Sequence, residues 1–146
     1  MPRNLLEKNF KHGRSLLIRL DHGSDMIAEM TEIARRLEIV TGVFSAIGAL
    51  SSAELGYYDQ VKNEYGKIAV EEPAELVSCS GNISVRDGQP FVHAHAVLAD
   101  RGGKVLGGHL MKGCVFAAEV YLQELLGSPL VRVHDPTTGL KLWGEE

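Results

Sequence analysis

Three of the six histidines fall in one short stretch, Phe91 to Leu110: His93, His95 and His109. The segment Pro90 to Ala99 alternates and is rich in Val and Phe, Arg101-Gly102-Gly103-Lys104 is turn chemistry, and Val105 begins a second extended run. This pattern predicts a β-hairpin. Successive side chains on a strand point to opposite faces, so His93 and His95 stand on one face about 6 to 7 Å apart. A fold-back at Gly102-Gly103 returns His109, on the partner strand, to the same end of the hairpin. Three imidazoles converging from two strands leave one tetrahedral position open, the arrangement of catalytic rather than structural zinc. The competing reading is a set of ordinary solvent-facing or hydrogen-bonded histidines. Ala94 and Ala96, with Val92 and Val97 nearby, predict a substantially buried strand, where two same-face imidazoles need polar partners. Gly107-Gly108, without side chains, allows close approach beside His109. Both features favour the metal.

Glu119, embedded in Cys114-Val115-Phe116-Ala117-Ala118-Glu119-Val120-Tyr121-Leu122, is the leading catalytic candidate. A buried carboxyl with raised pKa could act as acid or base beside a metal. The alternative is a paired structural acid or a surface residue. Ser45 and Tyr58 are polar residues in expected sheet positions that could line a pocket, but ordinary surface or hydrogen-bonded roles are the favoured reading. Gly102-Gly103 and Gly107-Gly108 lack the strand, glycine loop and helix of a phosphate site. His12, His22 and His134 have no partner at ligand spacing and read as surface residues, and no Ser-His-Asp triad can be assigned.

Residues 1 to 13 begin polar and basic, and Ser15 to Leu20 reads as a buried strand ending at the turn Asp21-His22-Gly23. Ser24 or Asp25 can cap a helix through Arg36 or Leu37, because Met26, Ile27, Met30, Ile33, Ala34 and Leu37 recur at helical spacing. Ile39 to Leu50 suits a strand whose Gly42 and Gly48 permit close packing or a bulge, and its consecutive apolar residues imply cover on both faces. Strands joined by a short turn follow from Ser51 to Tyr65, and Pro73 interrupts the extended stretch Lys67 to Ser80. Asp87-Gly88 is a hairpin turn pairing the strand that ends near Arg86 with the histidine strand, which becomes internal. The apolar run after Leu110 fits a strand better than a helix. Val131 to Asp135 reads as a short edge strand, followed by a turn and a tail bearing Leu140, Leu142 and Trp143. The expected class is α+β: a mainly antiparallel sheet with a flanking helix, one domain over residues 1–146.

The 146 residues suit a single core. A net charge of −4 and a pI near 5.9 give no global attraction for nucleic acid, so direct DNA binding by this chain alone is disfavoured. The densest basic group is Lys8, Lys11 and Arg14. No apolar run approaches the ~18 residues of a membrane span, and the N-terminus lacks a signal peptide's hydrophobic region, which predicts a cytoplasmic protein without membrane contact. Cys79 and Cys114 are too few and too far apart for a Cys-x-x-Cys site and are expected to be buried thiols.

Gly42-Val43-Phe44-Ser45-Ala46-Ile47-Gly48-Ala49-Leu50, Glu75-Leu76-Val77-Ser78-Cys79-Ser80-Gly81-Asn82-Ile83, His93-x-His95 and Gly107-Gly108-His109 together resemble the plants-and-prokaryotes conserved domain. The resemblance covers nearly the whole chain. In plants that domain follows AT-hook peptides in nuclear DNA-binding proteins. Its prokaryotic members stand alone and commonly carry a DNA-binding label with no function established. The resemblance implies a homotrimer, and a metal site on the histidines matching His93, His95 and His109. Acetolactate decarboxylase is more distantly similar, in fold group and in holding zinc with a His-x-His pair plus a third histidine. No Arg-Gly-Arg-Pro AT-hook core occurs here.

Two functions are therefore expected to compete. One is a zinc (or other divalent transition metal) enzyme of lyase or hydrolase type acting on a small oxo-acid or ester. The other is a DNA-associated regulatory or binding module in which the metal is structural.

Overall fold

The computed structural model describes residues 5–145; the first four residues of the basic N-terminal stretch, and the last residue of the chain, lie outside them. The order is β1 (Lys11–Leu20), α1 (Met26–Arg36), β2 (Gly42–Asp59), β3 (Glu64–Val70), β4 (Ala74–Arg86), β5 (Gln89–Ala99), β6 (Val105–Leu126), β7 (Val131–His134) and β8 (Lys141–Gly144). The α+β class is as the sequence predicts, a mainly antiparallel sheet and one helix in a single small domain. The one parallel pairing is β4 with β7. Among the described residues no helix is long and apolar enough to cross a membrane.

Strands β2, β6, β5 and β4 are joined in that order, and β4 also pairs with β2, so the four close on themselves as a small barrel. The long β6 makes this closure possible. Its start pairs with β5, and its remainder runs between β2 and β1. Alternation along the strands sends Phe44, Ala46, Val92, Ala94, Ala96, Leu98, Val115 and Leu122 to the interior. Helix α1 packs on β5 and β6. Asp25 caps it by accepting from the Ala28 backbone N–H at 2.9 Å, and its other carboxylate oxygen accepts from the Gly113 N–H of β6 at 2.9 Å. One side chain thus both starts the helix and fixes it to the sheet. Met26, Met30, Ile33 and Ala34 form the face it buries.

Three expectations change. The segment from Ile39 to Leu50 is not covered on both faces: Val43 and Ile47 are 46 % and 59 % exposed while Phe44 and Ala46 are buried. Strand alternation wins over the run of apolar types, and the outward face stays open in one chain. The two apolar runs after Lys104 form a single strand of 22 residues. Strand β7 is not an edge, because the tail folds back as β8 and takes that place.

Gly48 sits where β2 crosses closest to β6. It has φ +153, and a Cβ there would run into the Ala117 carbonyl oxygen. The β2–β4 register shifts at this point, between Ala46 and Gly48. Gly48→Ala should therefore lower stability by about 1–3 kcal/mol, the usual cost of forcing extra volume into a packed position. Equal urea midpoints for the two proteins would contradict this account.

Candidate metal centre

Hairpin β4–β5 turns at Asp87 (φ 51) and Gly88 (φ 74), the pair of positive φ values that a two-residue hairpin turn needs. The resulting register sets Asn82 opposite His93 and Ser80 opposite His95. Across the other edge of β5, His95 lies opposite His109 of β6. Directly paired residues share a face, so all three imidazoles project from the outer surface of the barrel. Glycine makes this approach possible. A Cβ on Gly107 would lie 2.8 Å from the Ala96 carbonyl oxygen, and one on Gly108 would lie 2.7 Å from that of Gly56.

The three histidines offer ligand atoms that all lie within 4.8 Å of one another. His93 Nε2 and His95 Nε2 are 3.2 Å apart. Two nitrogens bound tetrahedrally to zinc at 2.0–2.1 Å stand roughly 3.3 Å apart, so this pair is spaced for one ion. The Nδ1 atom of His109 is buried and has no hydrogen-bond partner. A buried polar atom left unpaired costs about 1–3 kcal/mol, and coordination is one way to remove that cost. The donor set therefore fits a divalent ion of borderline softness.

The strand is less buried than its sequence suggests. Its inward residues are buried, but His93 and His109 are only half-buried and His95 is exposed. That exposure is what gives a ligand access. Even so, burial, followed by the Arg132 guanidinium and then by His109 and His95, pushes the His93 imidazole down to about 4. His109 is lowered by burial, then by His95 and Arg132. These rings are neutral near pH 7, the state in which imidazole binds a metal.

Beside the histidines is a cavity of about 490 Å³ walled by Tyr58, Tyr65, Phe91, Met111 and Arg132 among others. The Tyr65 ring lies 5.2 Å from that of His109. Tyr58, singled out in the sequence, does line this cavity, and so does His134, which had looked like an unconnected surface residue. Ser45 and Glu119 are elsewhere. Both line a groove with Leu17, Arg19, Ile47 and Tyr121, and Glu119 is exposed, not buried, opposite Arg19 of β1 and Ile47 of β2. Cys79 is buried but Cys114 only partly so.

Comparison with known proteins places this arrangement. The model of the Plants and Prokaryotes Conserved (PCC) domain matches residues 7–126. The chain belongs to the PCC domain family. A metal-containing protein from Archaeoglobus fulgidus is 43 % identical, with a TM-score of 0.94 over 97 % of this chain and 100 % of that one. A plant- and prokaryote-conserved protein from Pyrococcus horikoshii is 38 % identical, with a TM-score of 0.92 over 97 % and 99 %. The bifunctional protein GlmU of two Synechococcus strains is 36 % identical over 125 residues, 84 % of this chain. The chain spans only 19 % and 18 % of the length of those two relatives.

Arg132 is the residue that sequence reasoning missed. It lies beyond the span matched by the PCC model, in a four-residue strand whose Val-Arg-Val alternation was the only signal that Arg132 stands on a different face from its neighbours.

A pH dependence follows from His93. The unfolded imidazole binds its proton near 6.5 and the folded one near 4, so the unfolded state holds more protons between those values. Stability of the metal-free protein should be full above about pH 6.5 and fall as pH drops toward 4. Urea midpoints at several pH values check this, and His93→Asn should flatten the slope.

Proposed function

We propose that this PCC-domain protein is a zinc-dependent small-molecule enzyme of lyase or hydrolase type, with His93, His95 and His109 as the metal ligands. The observation that carries the proposal is the convergence of three imidazoles from two strands, with a ligand-sized cavity at their side. The all-nitrogen donor set suits zinc, and three protein ligands leave a coordination position for substrate or water. The name of the Archaeoglobus relative supports a metal as such. When bound, the ion would polarise a substrate carbonyl or acidify a water molecule. The chain's own residues supply position and environment: Tyr58, Tyr65, Phe91 and Met111 wall the cavity, and burial raises the Tyr65 hydroxyl pKa, keeping it protonated as a hydrogen-bond donor. Glu119 is proposed as acid or base only through a neighbouring copy, since within one chain it lines the other groove.

A homotrimer belongs to the same proposal. Within one chain Phe44 and Val115 are buried in the core, whereas Ile47 and Phe116 are exposed, together with Leu17 at 86 %. Open apolar positions of this kind favour association.

The regulatory reading is the weaker one. Lys and Arg number 15 against 19 Asp and Glu. Within the densest basic group, Arg14 is tied to Glu124 at 2.9 Å, and Lys8 donates to the Pro129 carbonyl at 2.9 Å. Of the three, Arg14 has its charge paired by a carboxylate, which thins the group available to phosphates.

Purified protein should contain about one zinc per chain by elemental analysis, as three converging ligands imply. His95→Ala should lose most of it. Unchanged metal content in that variant, or a protein that takes up no divalent ion, would overturn the assignment. Light scattering should give about three times the 15.9 kDa chain mass; a value near 16 kDa at micromolar concentration would rule the trimer out.

A further inference from the structure

Among the described residues, Arg132 pairs with no carboxylate. Its Nε donates to Ser84 Oγ at 3.0 Å, one Nη1 hydrogen to the Lys141 carbonyl at 3.2 Å, and one Nη2 hydrogen to Asn82 Oδ1 at 3.1 Å. All three acceptors are neutral. The guanidinium is also held between two aromatic rings, 5.2 Å from the Phe91 centroid and 5.3 Å from that of Trp143. Neighbouring cations are treated differently. Asp87 takes Lys141 at 2.9 Å and lies 3.8 Å from Arg86, and Glu64, the one carboxylate on the cavity wall, makes no ion pair with Arg132 among the described residues. A half-buried guanidinium fixed by five neutral groups, with no counter-ion, is oriented for a partner that is not part of the chain.

A guanidinium has five N–H donors, of which three are taken, leaving one on each terminal nitrogen. For Nη2 the only further contact is His93 Nδ1 at 3.5 Å, the limit of a hydrogen bond. That contact requires a lone pair on Nδ1. Coordination through His93 Nε2 places the ring proton on Nδ1, which turns the contact into donor against donor. Metal loading therefore leaves this second Nη2 hydrogen without an acceptor, facing the same cavity as the histidines. His93 presents Nδ1 to the guanidinium and Nε2 to His95, so an ion held by the histidines would share this cavity with the guanidinium, within reach of a short acid that carries a second oxygen near its carboxylate.

We infer that Arg132 is the anion-binding residue of this cavity and that its ligands are short oxo- or hydroxy-acids, with the carboxylate on the free guanidinium hydrogens and the second oxygen turned to the histidines. The place of the second oxygen rests on the metal reading above. The carboxylate rests on Arg132, whose second Nη1 hydrogen is open with or without metal and whose second Nη2 hydrogen is released by metal loading, so loss of the metal weakens the carboxylate site without removing it. Apolar walls from Tyr65, Phe91 and Met111 set the rest of the preference, for a compact uncharged body.

The protein has a single tryptophan, Trp143, and it stacks on Arg132, which gives a direct readout that needs neither metal nor turnover. Pyruvate titrated into the metal-free full chain should change Trp143 fluorescence saturably, with methyl pyruvate and inorganic phosphate at least tenfold weaker. In the cobalt-substituted protein pyruvate should also perturb the visible spectrum, and more tightly than in the metal-free form. Arg132→Met should weaken pyruvate binding tenfold or more while leaving metal content unchanged, and Arg132→Lys, which keeps the charge and the fold but not the fork, should weaken it by a similar factor. Equal pyruvate affinity in wild type and both variants, equal binding of the ester, or preference for phosphate would overturn the inference. Pyruvate binding that depends on Arg132 in a protein that takes up no metal would leave the carboxylate site standing and remove the metal reading instead.

Discussion

The register between β5 and β6 is the constraint on which the site depends. His95 faces His109 across it, and a slip of one residue would turn every side chain of one strand to the other face, sending His109 inward and a core residue out. Two local devices hold that register. Asp100 accepts from the backbone N–H groups of Gly102 and Lys104 at 2.9 Å each, and its own N–H donates to the Lys104 carbonyl, closing the turn. Inward Val92, Ala94, Ala96 and Leu98, all buried, penalise any other alignment. The same alternation that packs the barrel therefore presents the imidazoles outside it.

Electrostatically, the centre sets two half-buried imidazoles beside the Arg132 guanidinium. Burial and Arg132 keep the His93 proton off, so the group that makes the site attractive to an anion also keeps its nearest imidazole available to a metal. Arg14 shows the contrasting solution within the same chain. There Glu124 accepts from two guanidinium N–H groups and from the Arg14 backbone N–H, and the charge is satisfied internally. Arg132 has only neutral acceptors and rings, which fix its orientation without cancelling its charge. Its position comes from the β7–β8 hairpin, beyond the residues that the PCC model matches, so the cavity beside the histidines is walled partly from outside that span.

The barrel's outer surface carries a second consequence of strand alternation. Val43, Ile47, Leu17 and Tyr121 stay open in a single chain because their neighbours fill the inside. Glu119 shares that surface beside Ile47 and Arg19, in a groove distinct from the histidine cavity. An acid inside an apolar run of sequence is thus no sign of burial on a strand, where every second residue faces out.

Local pattern alone determined much of this protein. A cap at Ser24 or Asp25 with apolar residues at helical spacing defined α1, Asp87-Gly88 and Gly102-Gly103 defined two hairpins, and together those turns made the histidine strand internal and converged three imidazoles. These features depend on residues close in sequence, whose backbone preferences act whatever surrounds them. Closure of β2 on β4, the single 22-residue β6, the open outer face and the placing of Glu119 were decided by pairings across long sequence separations, which alternation permits but does not specify. Arg132 belongs with these. Nothing near position 132 indicates His93, Asn82 or Phe91 as its neighbours, and only a parallel pairing between β7 and β4 brings a residue some 40 positions away to the metal centre, because strand partners are chosen by the burial of whole faces rather than by local propensity.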